Sequence, residues 1–119
     1  MIEHLMRQAA NLYEPVYIQG STQEISHYDL VKRKIPVFIQ PASSEIENYY
    51  SQRGLTNIHT IYTSDVCTSF VKEQVLVYNG RQFHIVGTTN TLTLNIFTVI
   101  TAEEYTGAKK RLDIEDYEG

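Results

Sequence analysis

The spacing of apolar residues changes several times along the chain, and each change marks an expected element. Ile2, Leu5, Met6, Ala9, Leu12 and Tyr13 recur at the i, i+3, i+4, i+7 interval of one helical face, and Pro15 would stop that helix. The spacing predicts an amphipathic N-terminal helix over residues 1–14. Val16 to Gln19 fits a short strand, Gly20-Ser21-Thr22 a turn, and Ile25 to Leu30 either a connection or a second strand of poor pattern. Ile35-Pro36-Val37-Phe38-Ile39 suits a strand, but Pro36 has no N–H to give a ladder, which argues for a sheet edge or a strand start.

A polar stretch follows from Ala42 to Gly54, with its apolar weight in Ile46, Tyr49 and Tyr50. Ser44 with Glu47 has the spacing of a capping box, and Gly54 can take the left-handed C-terminal position, so two or three helical turns are expected. From Leu55 to Thr63 the alternation predicts a strand with neither face purely apolar. Ser64 to Gln74 has no clean period and reads as a loop anchored by Val66, Cys67, Phe70 and Val71. Asn79-Gly80 tolerates the two positive φ angles of a type I′ turn. It pairs Tyr78 with Arg81, Leu76 with Phe83 and Val75 with His84, which puts Leu76, Tyr78, Phe83 and Ile85 on one face. Gly87 to Asn90 reads as a turn, and Thr91 to Ile100 alternates as a last strand. The charged segment from Ala102 onward, which holds Tyr105, Lys109, Lys110 and Arg111, reads as an exposed C-terminal arm over 102–119, disordered alone or ordered on a partner.

Composition narrows the class. A chain of 119 residues with 42% apolar composition suits one domain, here 1–101, able to bury roughly two thirds of its extended surface. Nine Tyr, four Phe and many Thr, Val and Ile favour a mainly β domain of five or six strands and two short helices. A net charge of −4 gives no cationic excess for gripping a phosphate backbone. Cys67 is the only cysteine, which excludes an internal disulfide and fits synthesis in a reducing compartment. No apolar run approaches the ~18 residues that span a bilayer, so a soluble protein without a membrane partner is expected.

Enzyme constellations are weak. His59, His84 and Cys67 could form a Cys/His pair, but both histidines lie mid-strand and nothing in the sequence brings them to Cys67. His4, His27, His59 and His84 have no metal-ligand spacing, and no phosphate-binding glycine loop is present, so neither metal nor cofactor is expected. Glu45 and Glu47, two apart on a helix, point away from one another and suit a helix N-terminus better than an acid pair. Lys32-Arg33-Lys34 is either a solvated strand end or a contact for phosphate or an acidic surface. Tyr49-Tyr50 either anchors an interface or packs one ring back on its own domain.

Several of these segments, taken in order, resemble the head closure (head-tail joining, or stopper) proteins of tailed bacteriophages. The strand Ile35 to Ile39 runs into Gln40-Pro41-Ala42-Ser43-Ser44-Glu45, and a variable insert and an alternating strand around Ile58 to Tyr62 follow. Tyr78-Asn79-Gly80-Arg81-Gln82-Phe83-His84-Ile85-Val86-Gly87 matches the family's Tyr-x-Gly-Arg-x-aromatic-x-Ile-x-Gly hairpin, and the resemblance spans roughly Ile35 to Ile100. It implies a small antiparallel β-barrel with a short helix or loop between strands. Such subunits form rings of six or twelve in the virion neck, with portal or adaptor protein above and tail terminator or tube protein below. DNA passes through the lumen without sequence-specific binding, and an inserted loop can close the channel until genome ejection. By position that loop is Ala42 to Gly54, so Ser43, Ser44, Glu45, Glu47, Tyr49, Tyr50, Gln52 and Arg53 become interface or channel candidates. The N-terminal helix is a departure, because a strand often opens the family.

An acidic, Tyr-rich chain with two-sided strands agrees with a ring subunit that buries two flanks and lets DNA slide. The rival expectation is a small barrel that binds single-stranded nucleic acid. That role needs basic residues beside stacking aromatics, and Tyr62 and Phe83 lack them in the sequence pattern. A hydrolase using Cys67 ranks last.

Overall fold

The tight hairpin forms as its sequence dictates. In a computed structural model that describes residues 8–20, 24–65, 68–90 and 98–105, Asn79 and Gly80 take φ of 50° and 80°. Strands β4 (Val75–Tyr78) and β5 (Arg81–Asn90) pair in the expected register, Val75 with His84 through Tyr78 with Arg81. The other strands are β1 (Gln8–Tyr17), β2 (Ile25–Pro41), β3 (Ile58–Thr63) and β6 (Thr98–Tyr105), and one helix, α1 (Ser44–Ser51), lies between β2 and β3. All pairings are antiparallel, and the order β1-β2-β3-β6-β5-β4 closes into a barrel. The chain is a mainly β protein, a small antiparallel barrel with one short inserted helix.

Alternation fills the barrel. Ala10 and Leu12 of β1, Ile35 and Val37 of β2, Ile61 of β3, Leu76 of β4, Phe83 and Ile85 of β5, and Ile100 and Ala102 of β6 form one buried cluster, closed by Phe70. Val75 and Val77, on the opposite face of β4, pack with Tyr13 and are covered by Tyr28 and Leu30. β4 is therefore apolar on both faces, because the outer part of the β1–β2 hairpin folds across it.

Four expectations are corrected here. Residues 8–14 belong to β1 and are not helical; the helical spacing of Ala9, Leu12 and Tyr13 is overridden by pairing with β2 and β4, and Met1 to Arg7 lie outside the described residues. Pro15 sits inside β1 opposite Tyr28. β1 meets β4 only over Asn11 to Tyr13, so Pro15 needs a ladder on one side alone. Ile25–Pro41 is one long strand, and Pro36 is at neither its start nor a sheet edge. The Ile39 N–H points to Gln8 on the β1 side, so alternation turns the Pro36 nitrogen towards β3, where pairing begins only at Val37. Gly87 to Asn90 is no turn: β5 bulges between Ile85 and Gly87 and runs on, opposite Thr101 to Thr98. The expected arm also begins later, because Ala102 to Tyr105 complete β6 with Ala102 and Glu103 buried. Lys109, Lys110 and Arg111 lie outside the described residues.

Phe83 is fully buried at the barrel centre, so Phe83→Ala should lower unfolding stability by about 3–5 kcal/mol in a denaturant titration. A loss below about 1 kcal/mol would contradict this packing.

Candidate functional site: the cleft beside the inserted helix

The insert Ala42 to Gly54 is held at both ends. The Ala42 N–H donates to the Ile58 carbonyl at 3.1 Å, and the Glu104 N–H donates to the Asn57 carbonyl at 3.0 Å. Glu103, 1% exposed, accepts from the Thr56 N–H at 2.8 Å, a buried acid that the sequence pattern had placed in a solvated arm. α1 forms as expected, but its cap is one residue earlier. Ser43 is the N-cap, its hydroxyl accepts from the Ile46 N–H at 3.3 Å, and the capping box with Ser44 does not form. Glu45 and Glu47 lie in the first turn, where the helix dipole favours negative charge.

No α1 residue is fully buried, and one close approach fixes the helix against the barrel. The Tyr50 hydroxyl lies over Gly87, where a Cβ would stand 3.1 Å from it. Tyr49, 52% exposed, meets the Tyr50 ring edge-on at 4.9 Å. The adjacent aromatics thus divide the two roles their sequence left open: Tyr50 packs home and Tyr49 faces out. The Arg53 guanidinium stacks 3.8 Å above the Tyr49 ring and donates to the Tyr49 carbonyl at 2.9 Å. Ser43, Ser44, Glu45, Glu47, Gln52 and Arg53 are all exposed.

Clefts open on both sides of this tyrosine pair. One, of about 320 Å³, is lined by Glu45, Ile46, Tyr49, Tyr50 and Thr101. The larger, of about 410 Å³, lies between the end of α1 and β5; Tyr49, Tyr50 and Arg53 form one wall and Lys72, Glu73 and His84 another, over Leu55, Ile85 and Val86. The second wall is built by the loop before β4, which the buried Phe70 anchors. The Glu73 N–H donates to the Ile85 carbonyl, and the Val71 N–H donates to the buried Gln74 side chain at 2.8 Å. His84 Nε2 is 3.2 Å from Glu73 Oε1, and its ring stacks on Tyr105 at 5.5 Å. Burial first, then the charges of Glu103, Tyr28 and Glu73, push the Tyr105 phenol up to about 12. Lys72 and Glu73 carried no sequence signal; His84 was weighed only for a Cys/His pair or a metal set, and Gly87 only as the end of the hairpin motif.

The basic run is dispersed. Lys32 donates to Asp65 at 2.6 Å, and Asp65 also accepts from the Thr68 hydroxyl and N–H. Burial raises the Asp65 carboxyl, but the bonds from Lys32 and Thr68 outweigh it and hold the acid below its ordinary range. Lys34 sits at a break in register with φ of 56°, its N–H donating to the Asn11 side chain at 3.1 Å. All three residues of the run are exposed, and Lys32 is committed to the ion pair with Asp65. At the other barrel end Arg81 grips Glu104 through two bonds, of 2.9 and 3.0 Å, and the Glu104 carboxylate raises its pKa further. His59 packs edge-on to Phe83 at 5.4 Å and lies on β3, away from His84 on the outer face of β5. Cys67 lies outside the described residues. Among the described residues, no group of three His, Cys, Asp or Glu side chains could hold a metal ion, and no helix is long and apolar enough to cross a membrane.

A scan against protein-family models found no match, and a search of curated proteins found none.

Two outcomes follow from this geometry. Gly87→Ala should cost about 1–3 kcal/mol by overpacking under Tyr50, and Tyr50→Phe, by removing the clashing oxygen, should recover most of it; equal costs in both backgrounds would contradict the contact. Because the folded Tyr105 pKa is raised above 10.0, its contribution is complete below pH 10 and is lost as pH rises towards 12. Tyr105→Phe should therefore flatten the alkaline fall in stability over that window, and an unchanged profile would contradict the burial of this phenol.

Proposed function

We propose that this chain is a non-enzymatic structural subunit of a tailed-phage neck, forming a ring that joins the DNA-filled head to the tail and surrounds the passing DNA. The observation that carries the reading is a contact between the two segments that bear the family resemblance. Tyr50, in the insert after Gln40-Pro41-Ala42-Ser43, rests on Gly87, the last residue of the hairpin motif. The glycine then has a physical reason to be in that pattern: it lets the insert dock on the barrel.

Further features support the reading. Gln8–Tyr17 form a strand, β1, where the spacing predicted a helix, and a strand near the N-terminus suits the family. α1 offers a wholly solvated outer face to the lumen or to the next ring. Two cations are engaged internally, Lys32 by Asp65 and Arg81 by Glu104, which suits a conduit that must not hold phosphate tightly. The 42–54 insert is the part proposed to face the channel, with portal or adaptor protein above and tail protein below.

One observation favours the rival reading. Arg53 over Tyr49, with Lys72 across the same cleft, supplies the pairing of cation and aromatic that the strand faces lack, and single-stranded nucleic acid would use it. Mixing the purified protein with adaptor-capped portal particles separates the two. The neck reading predicts capture by the particles and negligible binding of oligonucleotides at physiological salt. A strict monomer that ignores the adaptor and binds oligonucleotides tightly would overturn it.

A further inference from the structure

Tyr49 and Tyr50 line both clefts, so the pair is a ridge with a recess on each side. The ridge is thin: the two rings meet edge-on with centroids 4.9 Å apart, and Tyr50 is seated on Gly87. The recesses differ in charge. In the larger one Arg53 and Lys72 stand on opposite walls, whereas the smaller is lined by Ile46 and Thr101 and its one charged lining residue is the acid Glu45. The two most exposed large hydrophobics among the described residues, Tyr49 (52%) and Val71 (50%), belong to this region, Tyr49 as the ridge and Val71 next to Lys72 in the chain.

The larger recess is prepared for a single carboxylate. Arg53 lies 3.8 Å above the Tyr49 ring and gives one N–H to the Tyr49 carbonyl, which holds the guanidinium in place and leaves its other N–H groups for a further acceptor. A planar fork fixed in this way loses little freedom when it takes a carboxylate. Lys72 is exposed and has no ion pair or hydrogen bond among the described residues. Glu73, on the same wall, is engaged by His84 at 3.2 Å. Arg53 and Lys72 against Glu73 leave a surplus of one positive charge when His84 is neutral.

That surplus suits one anionic group and not a row of them. A phosphodiester strand crossing the ridge from the cationic recess would carry its next phosphates to Glu45, on a chain of net charge −4. An extended peptide meets no such obstacle. Its residues i and i+2 point to the same side, roughly 6.5–7 Å apart. That spacing lets two side chains straddle one pair of rings, and recesses of about 410 and 320 Å³ each have room for one of them.

We propose that the tyrosine ridge and its two recesses dock an extended acidic segment of a partner protein. A carboxylate of that segment binds between Arg53 and Lys72, and an apolar side chain two residues away packs on Ile46 and Thr101. The assignment goes beyond the ring reading and does not rest on it, because both recesses belong to one subunit.

Calorimetric titration of the full-length protein with end-blocked synthetic peptides tests it. The probes are Gly-Glu-Thr-Leu-Gly and the reversed Gly-Leu-Thr-Glu-Gly, which present the same two side chains in either direction across the ridge. The better of the two should bind with a dissociation constant below about 1 mM. Exchanging its Glu for Gln, or its Leu for Gly, should weaken binding about tenfold, the factor carried by one charge-assisted hydrogen bond or one buried aliphatic side chain. Lys72→Glu should impose the same loss on the Glu peptide and leave the Gln peptide unchanged, with an unaltered circular dichroism spectrum. Ile46→Asp should abolish the preference for Leu over Gly. Lys72 is exposed in a turn, and the peptide exchanges need no protein variant, so the test stands if Ile46→Asp fails to fold. Equal affinity for the Glu and Gln peptides, wild-type binding by Lys72→Glu, or no binding of either probe at about 1 mM would overturn the site. Each would leave the ring reading standing, because capture by adaptor-capped portal particles is measured separately. Tighter binding of an oligothymidylate, lost in Lys72→Glu, would assign the recess to nucleic acid and also overturn the peptide site.

Discussion

The barrel closes through three residue pairs, Asn11↔Val77, Leu12↔Leu76 and Tyr13↔Val75, and the rest of the structure depends on that short seam. Leu12 and Leu76 point into the same buried cluster, so closure and core formation are one event. A closed barrel has no free edge along its wall, which removes the route to edge-to-edge association that an open sheet of these strands would present. The seam is also short enough to release the rest of β1. Past Tyr13 the strand leaves β4 and continues as one half of a projecting ribbon, steadied by Tyr28 and Leu30 over Val75 and Val77.

The candidate site depends on that wall at second hand. α1 buries no residue completely, so its position follows from the backbone anchors at its two ends and from Tyr50 on Gly87. The bulge that precedes Gly87 shifts β5 at this point, and the small residue leaves room for the tyrosine hydroxyl. Tyr49 is then turned outward, where Arg53 stacks on it, and the cleft forms between that pair and the loop anchored by Phe70. A solvated helix and a loop without regular structure become the two walls of one recess because both are fixed to β5 and its neighbours.

Much of the architecture was legible in the sequence where a local rule and the tertiary contacts agree. Asn79-Gly80 demanded one turn type, and that turn set the register of β4 and β5. The insert's helix followed from the Ser44–Glu47 spacing and Gly54, though the cap fell on Ser43, whose hydroxyl takes the Ile46 N–H without a glutamate at the third position. Where the reading failed, long-range pairing overrode a local signal. Ala9, Leu12 and Tyr13 have helical spacing, yet Ala9 pairs with Pro36 and Leu12 with both Lys32 and Leu76. Gly87-Thr88-Thr89-Asn90 has turn composition, yet it continues β5 because β6 pairs with it. Glu103 in a charged run gave no sign that it would be buried against Thr56. The cleft's second wall was equally silent, because Lys72 and Glu73 meet Arg53 only through folding.

The proposed role has this small barrel work as one segment of a ring. End-on electron micrographs of the protein assembled on adaptor-capped portal particles test it most directly. The account predicts closed rings of uniform subunit number with an axial hole wide enough for duplex DNA. Bare portal particles beside free monomer, or open filaments of the protein, would contradict it.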